Sequence, residues 1–145
     1  MKKICVLIIA LFAITCDNGQ GDNENTSWVF VANEGSFGAS NGSISMIDDF
    51  GNIYETESIG DVVQSLEVYG DKLIVVVNNS HKIMLYDITE DGLSMPGIEI
   101  ETGDSSPRDL YILNDKVYFT NWNSQDIKVS VSYTHLRAHE TQTHR

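Results

Sequence analysis

Along most of this 145-residue chain, apolar and polar positions change over at short range. Beyond the first sixteen residues, no window sustains the i, i+3, i+4, i+7 spacing of an amphipathic helix. Short runs alternate or are wholly apolar instead: "SWVFVAN" (27–33), "GSISMID" (42–48), "NIYETESI" (52–59), "QSLEVYG" (64–70), "KLIVVVNN" (72–79) and "HKIMLYDI" (81–88). They are rich in Val, Ile and Tyr and are separated by Gly, Asn and Asp, the signature of strands joined by tight turns. Turn signals recur about every ten residues, which predicts an all-β sandwich, barrel or propeller.

Internal repetition separates these options. "GDVVQSLEVYGDKLIVVVNNSHKIMLYDI", from Gly60, aligns with "GDSSPRDLYILNDKVYFTNWNSQDIKVSV", from Gly103. Gly60 falls on Gly103 and Asp61 on Asp104. After one inserted residue, Leu66 falls on Leu110, Asp71 on Asp115, Lys72 on Lys116 and Ile83 on Ile127. The period is about 44 residues, within the range of four-stranded propeller blades. The earlier segment "VFVANEGSFGASNGSISMID" repeats the second half of the unit with a longer loop.

Each unit has a physical logic. An inner strand ("SLEVYG", "DLYIL") turns through Gly-Asp or Asn-Asp, residues tolerant of positive φ, into a second strand. That second strand ("LIVVVN", "VYFTN") is almost continuously apolar, as a strand buried on both faces must be. A third strand alternates more, and the fourth ("IYETESI", "GIEIET") carries acidic residues that discourage edge-to-edge pairing. The expected fold is therefore all-β: a partial β-propeller of about two and a half four-stranded antiparallel blades in an open arc, with units at 27–59, 60–102 and 103–131. The first unit begins with a second-type strand at Trp28 and the third lacks a fourth strand. Both flanks should therefore expose unpaired backbone and apolar faces, and the chain as it stands should not form a stable closed domain.

The repeat carries a family resemblance. "VYFTNWNSQDIKV" is similar to the YVTN-type propeller repeat, a V-Y-V-[TA]-N strand, a polar turn and a V-x-V-[IY]-D strand. "VFVANEGSFGASNGSISMID" resembles the opening of YncE-like propeller lipoproteins, and "SPRDLYI" resembles their S-P-R-x-[IL] entry to the inner strand. The resemblance covers roughly residues 27 to 130. It implies a fold and an exported setting, but no one function, because propellers serve many purposes.

The two ends read differently from the body. "MKKICVLIIALFAITC" has two lysines, an apolar run from Ile4 to Ile14 and small residues at Thr15 and Cys16, which describes a secretory signal over 1–16. The apolar run is about half the roughly 20 residues a membrane-spanning helix needs. "AITC" resembles a bacterial lipobox, with Thr15 where Gly, Ala or Ser is usual. The resemblance makes Cys16 the lipid attachment site and implies a periplasmic, outer-membrane or cell-surface lipoprotein of a Gram-negative bacterium. The polar segment 17–26 then serves as a flexible tether. At the other end, "SYTHLRAHETQTHR" (132–145) has no strand period. His135 and His139 are spaced i, i+4 and could share a metal on a helix. However, the segment holds no H-E-x-x-H arrangement and no apolar face to dock such a helix. It resembles translated sequencing-adapter sequence and is expected to be a non-native tail.

Composition narrows the chemistry. Both cysteines, Cys5 and Cys16, lie in the signal, so the body has neither a disulfide framework nor a thiolate metal site. Between Asp17 and Ser130, five cations (Lys72, Lys82, Arg108, Lys116, Lys128) face 20 acidic residues, a net of −15. Such a surface repels phosphate backbones, so nucleic acid is not an expected partner. "DITEDG" lacks the spacing of a calcium loop and reads as a hairpin turn. No G-x-S-x-G, H-E-x-x-H or glycine-rich phosphate loop occurs, and His81 is the body's only histidine. No catalytic residue, metal or cofactor is therefore expected.

Ligand-contact candidates are Arg108, Asn33, Asn78, Asn121 and Trp122. Arg108 precedes an inner strand and could hold an anion in a central channel, or pair with Asp104 or Asp109. The three asparagines recur at the end of the second strand, where they can also cap the following turn. Trp122, with Phe37, could form an aromatic rim or pack between blades. These residues fit a binding or scaffold module for a carbohydrate, peptide or partner protein. The alternative is the N-terminal part of a propeller enzyme (a lyase, hydrolase or quinoprotein) whose site lies in further blades.

Overall fold

The computed structural model describes residues 27–130. The signal, Cys16, the tether and the tail 132–145 lie outside the described residues. The described chain is all-β, an open partial propeller of three antiparallel sheets. The first sheet holds β1 (Val29–Asn33), β2 (Ser43–Ile47) and β3 (Ile53–Glu55) in that order. The middle sheet runs β4 (Val63–Tyr69), β5 (Lys72–Val77), β6 (Lys82–Thr89), with β7 (Gly92–Leu93) and β8 (Ile98–Glu101) both paired to β6. The third holds β9 (Pro107–Leu113), β10 (Lys116–Asn121) and β11 (Lys128–Ser130).

The turns use the residues their geometry demands. Gly70 sits at φ +62° between β4 and β5, and Asn114 and Asp115 sit at +50° and +58° between β9 and β10. Two successive positive φ values make a tight hairpin whose twist matches its strands. The strand expected over 52–59 shortens to β3, because Thr56 Oγ1 accepts from the Ile44 N–H at 3.0 Å and a side chain takes the place of a ladder carbonyl. β7 was not legible as a strand. It folds back from the "DITEDG" turn, Thr89 opposite Gly92, and Ser94 Oγ accepts from the Asp87 N–H.

The core forms between sheets rather than within them. Leu73, Val75 and Val77 of β5 and Met84 and Tyr86 of β6 pack with Ile44 of β2, joined by Phe30 and Ala32 of β1. Ile74, Val76, Ile83 and Leu85 lie on the opposite face of the same two strands and pack with Leu110, Ile112 and Phe119 of the third sheet. Strand alternation sends successive side chains to opposite faces, so β5 feeds two cores and all six of its residues are buried. Each such aliphatic contributes about 1.5–3 kcal/mol over an exposed position.

The first two sheets meet through a close backbone approach. Gly42 N–H donates to the Gly60 carbonyl at 2.9 Å, and Ile59 N–H donates back to the Gly42 carbonyl. A Cβ at Gly42 would stand 2.7 Å from Val63 Cγ2 and 2.9 Å from the Glu34 carbonyl oxygen, so only glycine fits.

The repeat is repeated in the hydrogen bonds. Val63 pairs with Val77 and Pro107 with Asn121, positions 44 apart on both strands. The Asn78 and Asn79 N–H groups donate to the Val62 and Asp61 carbonyls, and Trp122 and Asn123 donate likewise to Ser106 and Ser105. Val62 and Ser106 share a positive φ, +62° and +50°. One alignment read from the sequence therefore shifts by one residue: the counterpart of Asp61 is Ser105 rather than Asp104. Asn78 corresponds to Trp122, as the 44-residue offset of Leu66 to Leu110 requires, so Asn121 is not its structural equivalent.

Candidate ligand site at the Arg108–Trp122 edge

The loops before β9 and after β5 and β10 gather at one end of the middle and third sheets. Pro107 is fully buried there, and its carbonyl accepts a 2.8 Å hydrogen bond from Asn78 Nδ2. Pro107 pairs with Asn121 across a register shift in the β9–β10 ladder. With both flanking backbones fixed, Arg108 and Trp122 are turned outward side by side. The guanidinium carbon lies 4.5 Å from the centre of the indole ring, in the range of a favourable cation–π contact. Trp122 is 64 % exposed and Arg108 is also exposed. Arg108 makes no ion pair with Asp104 or Asp109 among the described residues. Asp109 Oδ1 instead accepts from Ser65 Oγ at 3.0 Å and from the Leu110 N–H.

The other candidates divide. Asn121 Nδ2 caps its turn by donating to the Asp126 carbonyl at 3.1 Å, while its buried Oδ1 has no partner among the described residues. Asn78 is buried and committed to Pro107, so it links two sheets rather than facing a ligand. Asn33 lies on the outward face of the first sheet, donating to Ser43 Oγ and Ser45 Oγ at 3.0 and 2.8 Å. Arg108 and Trp122 thus come together, while Asn121 caps its own turn and Asn33 and Asn78 do not join them as contact residues. Phe37 is exposed on the 34–42 loop and does not pack between sheets.

A network missed by sequence reasoning stiffens this end. The Gly38 N–H donates to both oxygens of the buried Asp61 carboxylate, which also accepts from Asn79 Nδ2 at 2.6 Å. His81 Nδ1 accepts the Ser106 N–H at 3.1 Å, and Asn123 Nδ2 donates to Ser106 Oγ and the Asp104 carbonyl. The only sequence trace of this network is the clustering of Asn, Ser and Asp in the loops.

Electrostatics differ on the neighbouring inner strands. Burial, with help from the Asp109 charge, raises the Glu67 carboxyl above its usual range. The site's exposed chemistry is thus a flat indole beside a guanidinium rich in donors, set in an acidic surface. Among the described residues, no group of three His, Cys, Asp or Glu side chains is placed to hold a metal. No family model matches the chain, and neither does any curated protein.

Proposed function

We propose that this chain is a binding or scaffold module of the YVTN-repeat propeller kind, exported and lipid-anchored through Cys16 at a Gram-negative cell envelope. Its ligand is a carbohydrate, peptide or partner protein, held at the Arg108–Trp122 edge. The observation that carries this reading is the exposed cation–π stack, which has no carboxylate partner among the described residues. A ring face held flat by an arginine suits a sugar face or an aromatic or proline side chain, and the free guanidinium edge supplies fixed donors. The polar N-terminal segment and the lipobox-like "AITC" support the anchor.

Two measurements test the two halves. Screening the full chain against an oligosaccharide array and a peptide library should give binders that weaken at least about tenfold, or about 1.4 kcal/mol, in Trp122→Ala and Arg108→Ala. Binders indifferent to both substitutions would remove the site. Fatty-acid labelling in cells should mark the wild type and spare Cys16→Ala; equal labelling, or none in either, removes the anchor.

A further inference from the structure

The strands give the described residues two unlike ends. β1 runs from Val29 to Asn33 and β2 returns from Ser43 to Ile47, so the 34–42 loop lies at one end and the 48–52 turn at the other. The 34–42 end also holds the Gly42–Gly60 contact, the Asn78–Pro107 hydrogen bond and the Arg108–Trp122 stack. The chain enters at the opposite end, where the Ser27 N–H donates to Asp49 Oδ2 at 2.8 Å. Trp28 fixes that entry against two sheets. Its ring meets Tyr54 edge to face at 5.8 Å, and its Nε1 donates to the Thr89 carbonyl at 3.0 Å.

Phe50 stands at the tip of this entry end and is 82 % exposed, the most of any large apolar side chain among the described residues. Its backbone is nevertheless fixed. Asp48 Oδ1 accepts the Phe50 and Asn52 N–H groups at 2.9 and 2.8 Å, Asp48 Oδ2 accepts Asn52 Nδ2 at 2.7 Å, and the Gly51 N–H donates to the Asp48 carbonyl. A turn held in this way presents its ring with little ordering left to do. Its polar groups are already paired, so drawing it out of water costs less. A further sheet beside the first would leave the ring open, because a sheet covers its neighbour's face and Phe50 lies beyond the strand ends. On the middle sheet, which is covered on both faces, the matching turn at residues 89–91 is exposed as well.

We propose that the Phe50 end seats on the lipid bilayer that carries the anchor, its ring at headgroup level, with the Arg108–Trp122 edge turned away from the membrane. This inference rests on the proposed lipid at Cys16. Ten residues, 17–26, separate Cys16 from Ser27, and even fully extended they reach no more than about 36 Å. The anchor therefore brings the domain to the membrane by its Ser27 end, with Phe50 beside the point of entry. The lipid supplies the attachment and the ring sets the orientation, since aromatic side chains settle at the boundary between headgroups and acyl chains. Asp49, Glu90 and Asp91 lie at the same end and are exposed, so neutral headgroups suit it and anionic ones repel it.

The lipidated full chain, reconstituted in phosphatidylcholine vesicles, tests this orientation. Phe50→Trp adds an indole at the entry end, and Phe37→Trp adds one at the other, where Phe37 is 76 % exposed. Emission is read as the difference from wild type, which already carries Trp28 and Trp122. The emission added by Phe50→Trp should shift to the blue and be largely lost when the vesicle lipid is brominated near its headgroup. The emission added by Phe37→Trp should do neither. Should circular dichroism show that the new indole disturbs the turn, a nitroxide on Phe50→Cys reads the same depth through its accessibility to oxygen. Quenching of neither variant, of both alike or of Phe37→Trp alone would overturn the proposal and leave the anchor standing. A chain that takes up no fatty acid in cells would overturn the proposal together with the anchor, and that labelling is scored before vesicles are made.

Discussion

The middle and third sheets are built from one repeated unit, yet they differ in what holds them. β5 and β6 are covered on both faces and β10 and β11 on one. Residues of the same type at matched positions, Ile83 and Ile127, therefore lie in a core in one sheet and at the surface in the other. Apolar patterning makes a strand fit for burial, and a neighbouring sheet is what buries it. The stabilising area in stacked repeats lies at the interfaces between units, so two similar sequences can differ in energetic weight by most of a side chain's transfer free energy.

The sharpest way to break this comparison is to truncate the matched pair. Ile83→Ala should cost about 2–5 kcal/mol through lost burial and a residual cavity, and Ile127→Ala less than about 0.5 kcal/mol. Urea titration at low protein concentration reads both, and similar costs would show that the two sheets do not differ as described.

Gly97 offers the next largest effect. It lies at φ +80°, and a Cβ there would stand 2.5 Å from Tyr86 Cε1 and 3.0 Å from the Leu85 carbonyl oxygen. Gly97→Ala should destabilise by about 1–3 kcal/mol from overpacking, with a further 1–2 kcal/mol or so from the left-handed backbone. Gly103→Ala, at φ +66° with open space around it, should show the backbone part alone. Thermal melts of the two variants separate the contributions.

A third test uses charge. Lys72 is buried on the middle sheet and forms an ion pair with Asp87, its cross-strand neighbour. Its repeat counterpart, Lys116, is exposed. Asp87→Ala removes this ion pair from Lys72 and should cost about 1–2 kcal/mol, below the roughly 3–5 kcal/mol of breaking a fully buried pair because Asp87 keeps contact with water. Lys116→Ala should be nearly silent in the same denaturation assay.

The smallest expected effect sits between the inner strands. The Glu67 carboxyl is raised by burial and by Asp109, so the folded state holds its proton more readily than the unfolded chain does. Ionised Glu67 therefore disfavours folding at neutral pH, and Glu67→Gln should stabilise by no more than about 0.5 kcal/mol at this solvent-screened position. The gain should shrink as pH falls through the raised value and vanish below the ordinary 4.5, where Glu67 is protonated in both states. A gain that grows on acidification would contradict the assignment.

Much of the fold was legible in the sequence, because strand period, turn residues and repeat spacing are local properties. The run "KLIVVVNN" announced a strand buried on both faces, and "YGDK" and "LNDK" announced hairpins whose glycine or asparagine takes positive φ. The site was legible only in part. Arg108 and Trp122 both stood out as residues, but nothing in their spacing of fourteen positions showed that the indole would lie under the guanidinium. The recurring asparagines suggested one shared role, but the 44-residue offset sets Asn78 against Trp122, and their hydrogen bonds show that Asn78 and Asn121 do different work.

The sequence by itself determined that the chain makes short strands in a unit of about 44 residues, since alternation and turn chemistry act between residues close along the chain. Tertiary structure alone decided which copy of each apolar face is covered, which asparagine bridges two sheets and which arginine finds a ring. Those outcomes depend on contacts between residues tens of positions apart, where no local preference acts, and on whether a neighbouring sheet is present to exclude water.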